Sequence, residues 1–110
     1  MKLENPYKPY LATIEDIRVE AGGPRAIKTF TVVLQEEEVR RNFSYMPGQT
    51  ALVSVFGKGE SMFCITSAPT LKGKLEFSVM RQGKVTSELH RLQKGDTVGV
   101  RGPLGNAFPV

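Results

Sequence analysis

The stretch RQGKVTSELH, residues 81–90, combines residue types that can bind an anion. Its glycine allows a tight turn or a close backbone approach, and a helix is predicted to begin after it. A helix start presents backbone N–H groups that have no acceptor within the helix, and its dipole favours negative charge. The candidate ligands are a cation, the glycine and three residues of the helix start whose N–H groups are expected to be unpaired: Arg81, Gly83, Val85, Thr86 and Ser87. The stretch is a candidate cradle for a diphosphate, and an ordinary capped helix is the alternative.

A second stretch, SMFCITSAP, residues 61–69, ends a β-prone segment with an aromatic ring, a thiol and two hydroxyls. If it borders the first stretch, a flat cofactor can lie along it, with the ring stacking and the thiol and hydroxyls forming hydrogen bonds. The residues assigned to this role are Phe63, Cys64, Ile65, Thr66 and Ser67. Taken one by one, they are better explained as core residues and a turn before Pro69. Only the two stretches together favour a cofactor site.

Other familiar chemistries find little support in the sequence. His90, the single histidine, falls on the predicted helix without a cluster of Cys, Asp or Glu, so no metal site is predicted and the ring is expected to be partly exposed. No spacing supports a Cys64–His90 nucleophilic pair, and no catalytic residue is assigned. The GPLG stretch, residues 102–105, is not a dinucleotide fingerprint, because no strand–turn–helix unit follows it before Val110.

Size and composition indicate one ordinary globular domain spanning residues 1–110, with 40% hydrophobic and 24% charged residues. The net charge of +4 is dispersed along the chain, which favours a solubilising surface over a nucleic-acid patch. A single cysteine excludes an internal disulfide and fits a reducing compartment such as the cytoplasm. The first ten residues, MKLENPYKPY, lack the apolar core of a secretory signal, and no run of about 18 apolar residues occurs, so neither secretion nor a membrane span is expected.

Turn signals recur about every ten residues and separate short segments that look extended: YLATIEDIRVE, AIKTFTVVL, TALVSVF, SMFCITS, KLEFSVMR and DTVGVRG. In KLEFSVMR, Leu75, Phe77 and Val79 alternate with polar residues, which is the period of a half-buried strand. One segment breaks this pattern: VTSELHRLQKG, residues 85–95, is predicted to be a short helix with Thr86 or Ser87 as its N-cap. The stretch EEEVRR, residues 36–41, is interpreted as a loop. The fold class predicted is all-β, a six-stranded antiparallel Greek-key β-barrel with one short capping helix.

The order of the segments carries a resemblance to a known family. YMPGQTALVSV, then GESMFCITSAPT, then LEFSVMRQGKVTSELHRLQKGDTVGVRGPLGNAF resembles the flavin-binding domain of the ferredoxin–NADP⁺ reductase superfamily. Within it, the chain looks most similar to the gamma-type electron-transfer subunits of hydrogenases and sulfite reductases and to those of dihydroorotate dehydrogenases. The resemblance runs from about Tyr7 to Phe108 and implies an FAD-binding six-stranded barrel.

The resemblance also implies residue roles. The family's Arg-x-Tyr-Ser motif falls on Ser61, Met62, Phe63 and Cys64, which places Phe63 beside the isoalloxazine and Cys64 opposite flavin N5. The family's diphosphate motif resembles GKVTS, residues 83–87. The motif arginine is replaced by Ser61, which removes a bidentate phosphate contact that Arg81 or Lys84 would have to supply. A thiol at Cys64 donates more weakly than the family's serine hydroxyl.

Members of this superfamily add an NAD(P)-binding domain that delivers hydride from NAD(P)H to FAD. The resemblance therefore implies that such a domain follows this one in a parent reductase, with an iron–sulfur or hydrogenase-type redox subunit as the electron partner. The isolated domain is expected to be inactive alone, and nucleic acid and membrane are not expected partners. Two alternatives remain open: a basic β-barrel that binds single-stranded nucleic acid, and a docking module that has lost its flavin.

Overall fold

The strand segments predicted from period-two alternation form one sheet in the computed structural model, which describes residues 9–42, 49–66 and 73–104. The elements in chain order are β1 (Tyr10–Ala21), β2 (Ile27–Leu34), α1 (Glu37–Asn42), β3 (Thr50–Val55), β4 (Gly59–Cys64), β5 (Lys74–Met80), α2 (Lys84–His90) and β6 (Thr97–Leu104). Six strands and two short helices confirm the mostly β composition that the sequence predicts.

The six strands lie in the order β4-β3-β6-β1-β2-β5, and each neighbouring pair is antiparallel. The long strand β1 pairs with both β2 and β6 and carries register shifts between Ile14 and Asp16 and between Val19 and Ala21. Such irregularities increase the local twist and bend a strand. The curvature brings β4 and β5, at the two ends of the strand order, toward each other.

The predicted barrel is supported only in part, because the strand ladder is not closed between β4 and β5. The two edges meet instead just beyond β4, where Thr66 donates two hydrogen bonds to the carbonyl of Glu76 in β5, at 2.8 Å from its backbone N–H and 3.0 Å from its hydroxyl. The preceding Ile65 N–H donates to Gln49 O at 3.0 Å. The described residues therefore form a curved sheet whose edge strands are joined at one point.

The core lies on the concave side of this sheet. Leu75, Phe77 and Val79 of β5 are buried, as their alternation predicts, and Phe30 of β2 stacks on Phe77 with ring centroids 5.8 Å apart. The other buried hydrophobic residues come from the remaining five strands or their ends and from both helices: Ala12, Ile14, Val32, Leu34, Val39, Ala51, Val53, Val55, Ile65, Leu89, Val98 and Val100. Both short helices thus contribute to one core.

The loop predicted over residues 36–41 is wrong, because this segment forms most of α1. Glu37 and Glu38 stand in its first turn and Arg40 and Arg41 in its last, which matches the polarity of the helix dipole. Its one apolar side chain, Val39, is buried, and Arg40 Nη1 donates to Leu34 O at 2.8 Å. Tertiary contacts therefore hold a helix too short to be stable alone.

Candidate functional site

The start of α2 is organised by the hydroxyl of Thr86. Its Oγ1 accepts hydrogen bonds from the backbone N–H groups of Gln82 at 3.0 Å and Gly83 at 2.9 Å, and it donates to Gly83 O at 3.1 Å. The loop that leads into the helix is fixed at its other end, where Arg81 N–H donates to Ala26 O at 2.9 Å. The hydroxyl of Thr86 is thereby committed to shaping the loop rather than left open to a ligand.

The predicted N-cap at Thr86 or Ser87 is wrong, because the helix runs from Lys84 to His90 and its N-cap is Gly83. Glycine is acceptable at this position. The side-chain hydrogen bond of the cap comes from Thr86, the third helical residue, whose hydroxyl accepts from the backbone N–H of Gly83. Ser87 N–H donates to Gly83 O at 2.9 Å, so it is not one of the unpaired donors that the sequence predicts. The first-turn N–H groups that have no acceptor inside the helix are those of Lys84, Val85 and Thr86.

Strand β4 presents two different faces. Ser61 and Phe63 are half-buried, whereas Met62 and Cys64 point to the exposed face. The Phe63 ring stacks on that of Phe77, with centroids 5.4 Å apart and planes inclined by 23°. Phe63 is therefore held by the core on one side, and the Cys64 thiol is free and exposed.

The two other described residues assigned to the second stretch have structural partners. Ile65 is buried in the core, and the Thr66 hydroxyl donates to Glu76 O. Ser67 lies outside the described residues. Of the described residues assigned to this role, Phe63 is half-buried and Cys64 is exposed, so their side chains remain available at a surface.

One strand connects the two predicted stretches. Gly59, the first residue of β4, lies against α2 so closely that a Cβ at this position would stand 3.0 Å from Val85 Cγ2. Phe63 follows four residues along the same strand, a distance of about 13 Å at the rise of an extended chain. Strand β4 therefore links the first turn of α2, at Gly59, to the Phe63–Cys64 end of the strand.

An ion pair that the sequence analysis missed fixes the exposed face of β4. Arg101 Nη2 of β6 donates to both carboxylate oxygens of Glu60, at 2.5 and 2.6 Å, and Ser54 Oγ donates to Glu60 Oε2 at 2.9 Å. The hydrogen bonds from Arg101, and then from Ser54, hold the pKa of Glu60 below its ordinary value. Arg101 is 41 residues away from Glu60 in the sequence, and the pairing of β3 with both β4 and β6 brings the two side chains together.

His90 is buried, not partly exposed as predicted. Its Nε2 lies 2.7 Å from Val79 O and donates to that carbonyl, since the carbonyl can only accept. The ring packs at a tilt of 59° against Phe30. His90 therefore anchors α2 to β5.

Two further properties concern the described part of the chain. No group of three or more His, Cys, Asp or Glu residues there is arranged to hold a metal ion. Neither described helix has the length and apolar content needed to cross a lipid bilayer.

Residues 18–108 match the family described as "Oxidoreductase FAD-binding domain". The chain belongs to this family. The FAD-binding domain and its cofactor, expected from the resemblance of the three ordered segments, are thus confirmed. The nucleic-acid alternative is not favoured.

Sequence relatives agree with this membership. The chain is 41% identical to the sulfhydrogenase 1 subunit gamma of Pyrococcus furiosus over 76% of this chain and 28% of the relative. It is 36% identical to a probable dihydroorotate dehydrogenase B (NAD(+)) electron transfer subunit of Methanocaldococcus jannaschii, over 92% of this chain and 33% of the relative. The FAD-binding domain spans about a third of the length of these curated relatives.

Solved structures share its fold. Ferredoxin-NADP⁺ reductase from Plasmodium falciparum superimposes with a TM-score of 0.75 over 99% of this chain and 42% of that one, at 16% identity. An NADH-dependent reduced ferredoxin-NADP oxidoreductase gives a TM-score of 0.72 over 89% of this chain and 34% of that one, at 25% identity. At such low identity, the first of these likenesses concerns the fold alone.

Proposed function

We propose that FAD lies along β4, with its isoalloxazine at Phe63 and Cys64 and its diphosphate at the first turn of α2. The observation that carries this placement is the contact of Gly59 with Val85, which puts that turn on the strand that bears Phe63. The proposed contacts include side chains and backbone groups of Phe63, Cys64, Ile65, Thr66, Ser67, Arg81, Gly83, Val85, Thr86 and Ser87.

The residues at the start of α2 fit a diphosphate. The N–H groups of Lys84, Val85 and Thr86 have no acceptor inside the helix, and nothing lies within 4 Å of the place where a Cβ on Gly83 would stand. A negatively charged group can therefore approach this backbone closely, and the helix dipole favours its charge. Thr86 contributes by holding the Gln82–Gly83 backbone in place.

The residues at the end of β4 fit a flat ring. Phe63 is fixed against Phe77, so it offers a preorganised aromatic surface to a second ring. The exposed Cys64 thiol is placed to donate a weak hydrogen bond to a ring nitrogen. The family motif has an arginine at the position of Ser61, which is half-buried. Serine has no charged group, so this position cannot form an ion pair with a phosphate.

FAD, when bound, supplies a centre that takes up electrons as hydride and passes them on singly, while the protein orients it and tunes its electronics. We propose that the domain is part of a larger electron-transfer subunit. An NAD(P)-binding domain would supply the electrons, and an iron–sulfur or hydrogenase-type subunit would receive them. The gamma and electron-transfer names of the relatives support this assignment.

Two finer proposals concern architecture and location. We propose that the sheet, whose ladder is open between β4 and β5, is completed as a Greek-key barrel by the contact just beyond β4, a proposal supported by the two hydrogen bonds from Thr66 to Glu76 O. Slow hydrogen exchange of the Thr66 amide would support closure, and exchange at the rate of an exposed loop would contradict it.

The free Cys64 thiol is consistent with a reducing compartment, and we propose that the protein is located in the cytoplasm.

A titration of the 110-residue chain with FAD, FMN and riboflavin tests the cofactor placement. Flavin fluorescence and visible absorption should change on binding, and affinity should fall in the order FAD, FMN, riboflavin, because the diphosphate contacts are lost stepwise. Equal affinity for all three would place the diphosphate elsewhere. Unchanged spectra at high protein concentration would support the docking-module alternative.

A further inference from the structure

A cavity of about 340 Å³ lies between α2, the start of β2 and the residue that follows β5. The described residues that line it are Ala26, Lys28, Arg81, Ser87, His90 and Arg91. It occupies the flank of α2 formed by Ser87, His90 and Arg91, whereas Val85 faces β4. Its volume is in the range of small-molecule pockets.

Three cations surround this cavity, and the structure holds one of them in place. Lys28 Nζ donates to His90 O, at the end of α2, at 2.9 Å. An ammonium group has three N–H donors, so two remain for a ligand. The backbone N–H of Arg81 is tied to Ala26 O, which places the base of that side chain at the cavity wall.

Little negative charge opposes these cations. No carboxylate is among the described residues that line the cavity. Among the described residues, Glu88 pairs with one of the three cations, since its Oε1 lies 3.7 Å from Arg91 Nη1. That contact is weak, since the Arg91 side chain is 78% exposed and surface ion pairs contribute little.

We propose that this cavity binds a phosphate group, held by Lys28, Arg81 and Arg91 with a hydrogen bond from the Ser87 hydroxyl. Guanidinium groups present paired donors that match phosphate oxygens, and the ammonium adds a point charge. The phosphate belongs to a small phosphorylated molecule other than FAD, because the cavity lies on a different flank of α2 from Val85, which faces β4. The proposal does not rest on the placement of FAD, because its first test uses inorganic phosphate alone.

The test records ¹⁵N–¹H spectra of the 110-residue chain while phosphate replaces chloride at constant ionic strength. Saturable shifts of the Arg81, Ser87 and Arg91 amides are expected. Arg91→Ala and Lys28→Met should each raise the phosphate Kd about fivefold, since each removes a charge-assisted hydrogen bond. Lys94→Met is the matched control, because it also removes one positive charge but its side chain pairs with Asp16 and does not line the cavity.

The outcomes decide the proposal. Shifts that do not saturate, or equal Kd changes in all three variants, would overturn it. If Lys28→Met fails to fold, the phosphate Kd of Arg91→Ala tests the proposal by itself, because Arg91 is exposed and its loss leaves the core intact.

A second titration in the presence of saturating FAD identifies the source of the phosphate. Phosphate shifts abolished by FAD, together with weaker FAD binding by Arg91→Ala, would overturn the proposal, because they would assign the cavity to the cofactor. Shifts that persist assign it to a separate phosphorylated ligand. Phosphate binding by a chain that takes up no FAD would refute the proposed function and leave this inference standing.

Discussion

The Phe63 ring stacks on the Phe77 ring at a centroid distance of 5.4 Å, and Phe77 stacks in turn on Phe30. A run of three rings therefore leads from the buried face of β2 to the end of β4. Stacked aromatic pairs contribute about 1 kcal/mol beyond the area that they bury. Phe63, which the family resemblance places beside the flavin, is thus a rigid extension of the core.

The first prediction concerns this ring. Phe63→Leu should lower the free energy of unfolding by about 1 kcal/mol, because it removes the stack on Phe77, and should weaken FAD binding at least tenfold. Phe63→Tyr keeps the ring and introduces the family's residue, so it should retain both stability and affinity. Urea unfolding and flavin fluorescence measure the two quantities. FAD affinity unchanged in Phe63→Leu would remove Phe63 from the site.

The second prediction compares two glycines. Gly59 has φ of 131° and a Cβ there would meet Val85, so Gly59→Ala should lower the free energy of unfolding by about 2 kcal/mol. Gly83 has φ of −169° and open space around it, so Gly83→Ala should cost about 1 kcal/mol or less. FAD affinity should nevertheless fall in Gly83→Ala, because the added methyl group occupies the path to the first-turn N–H groups.

Thermal unfolding and a flavin titration of each variant check this comparison. Gly83→Ala that binds FAD as tightly as the parent chain would show that no ligand approaches that backbone. A Gly59→Ala variant as stable as the parent would contradict the close packing of β4 on α2.

Much of the fold could be predicted because alternation is a local signal. Leu75, Phe77 and Val79 are read directly from the sequence as one face of a strand, and all three are buried. The helix α1 could not be predicted this way, because a six-residue segment with a single apolar residue, Val39, carries no helical period. It is held by contacts such as that from Arg40 to Leu34 O, which depend on the folded chain.

The site was predicted less completely than the strands, because its hydrogen bonds also depend on contacts that exist only in the folded chain. The sequence indicates a helix start near Gly83, but it does not show that the Thr86 hydroxyl is used by the Gln82 and Gly83 N–H groups. The burial of His90 depends on a carbonyl acceptor from another element, Val79 O. Such long-range partners leave no periodic trace in the chain.

The third prediction separates the two ends of the proposed FAD site. Thr86→Val keeps the shape of the side chain but removes the hydroxyl that orders the Gln82–Gly83 backbone, so it should raise the FAD Kd about tenfold. Cys64→Ser replaces a weak donor at an exposed position and should change the Kd by less than about threefold. Thr86→Ser, which retains the hydroxyl, is the control. Equal losses in Thr86→Val and Cys64→Ser, or the reverse order, would contradict the position proposed for the diphosphate.

The fourth prediction follows from the lowered pKa of Glu60. A carboxyl whose pKa is lower in the folded chain than in the unfolded chain stabilises the fold when it is ionised, so its contribution is complete above the unfolded value of about 4.3. That contribution is lost as the pH falls through the lowered pKa. Glu60→Gln should therefore be less stable than the parent chain at pH 7, and the difference should shrink below about pH 4.

Urea unfolding of both chains between pH 7 and pH 3 measures this difference in the free energy of unfolding. The control is Glu15→Gln, because Glu15 forms an exposed ion pair with Lys74. A difference that stays constant over this range would show that the bonds from Arg101 and Ser54 do not depend on the charge of Glu60.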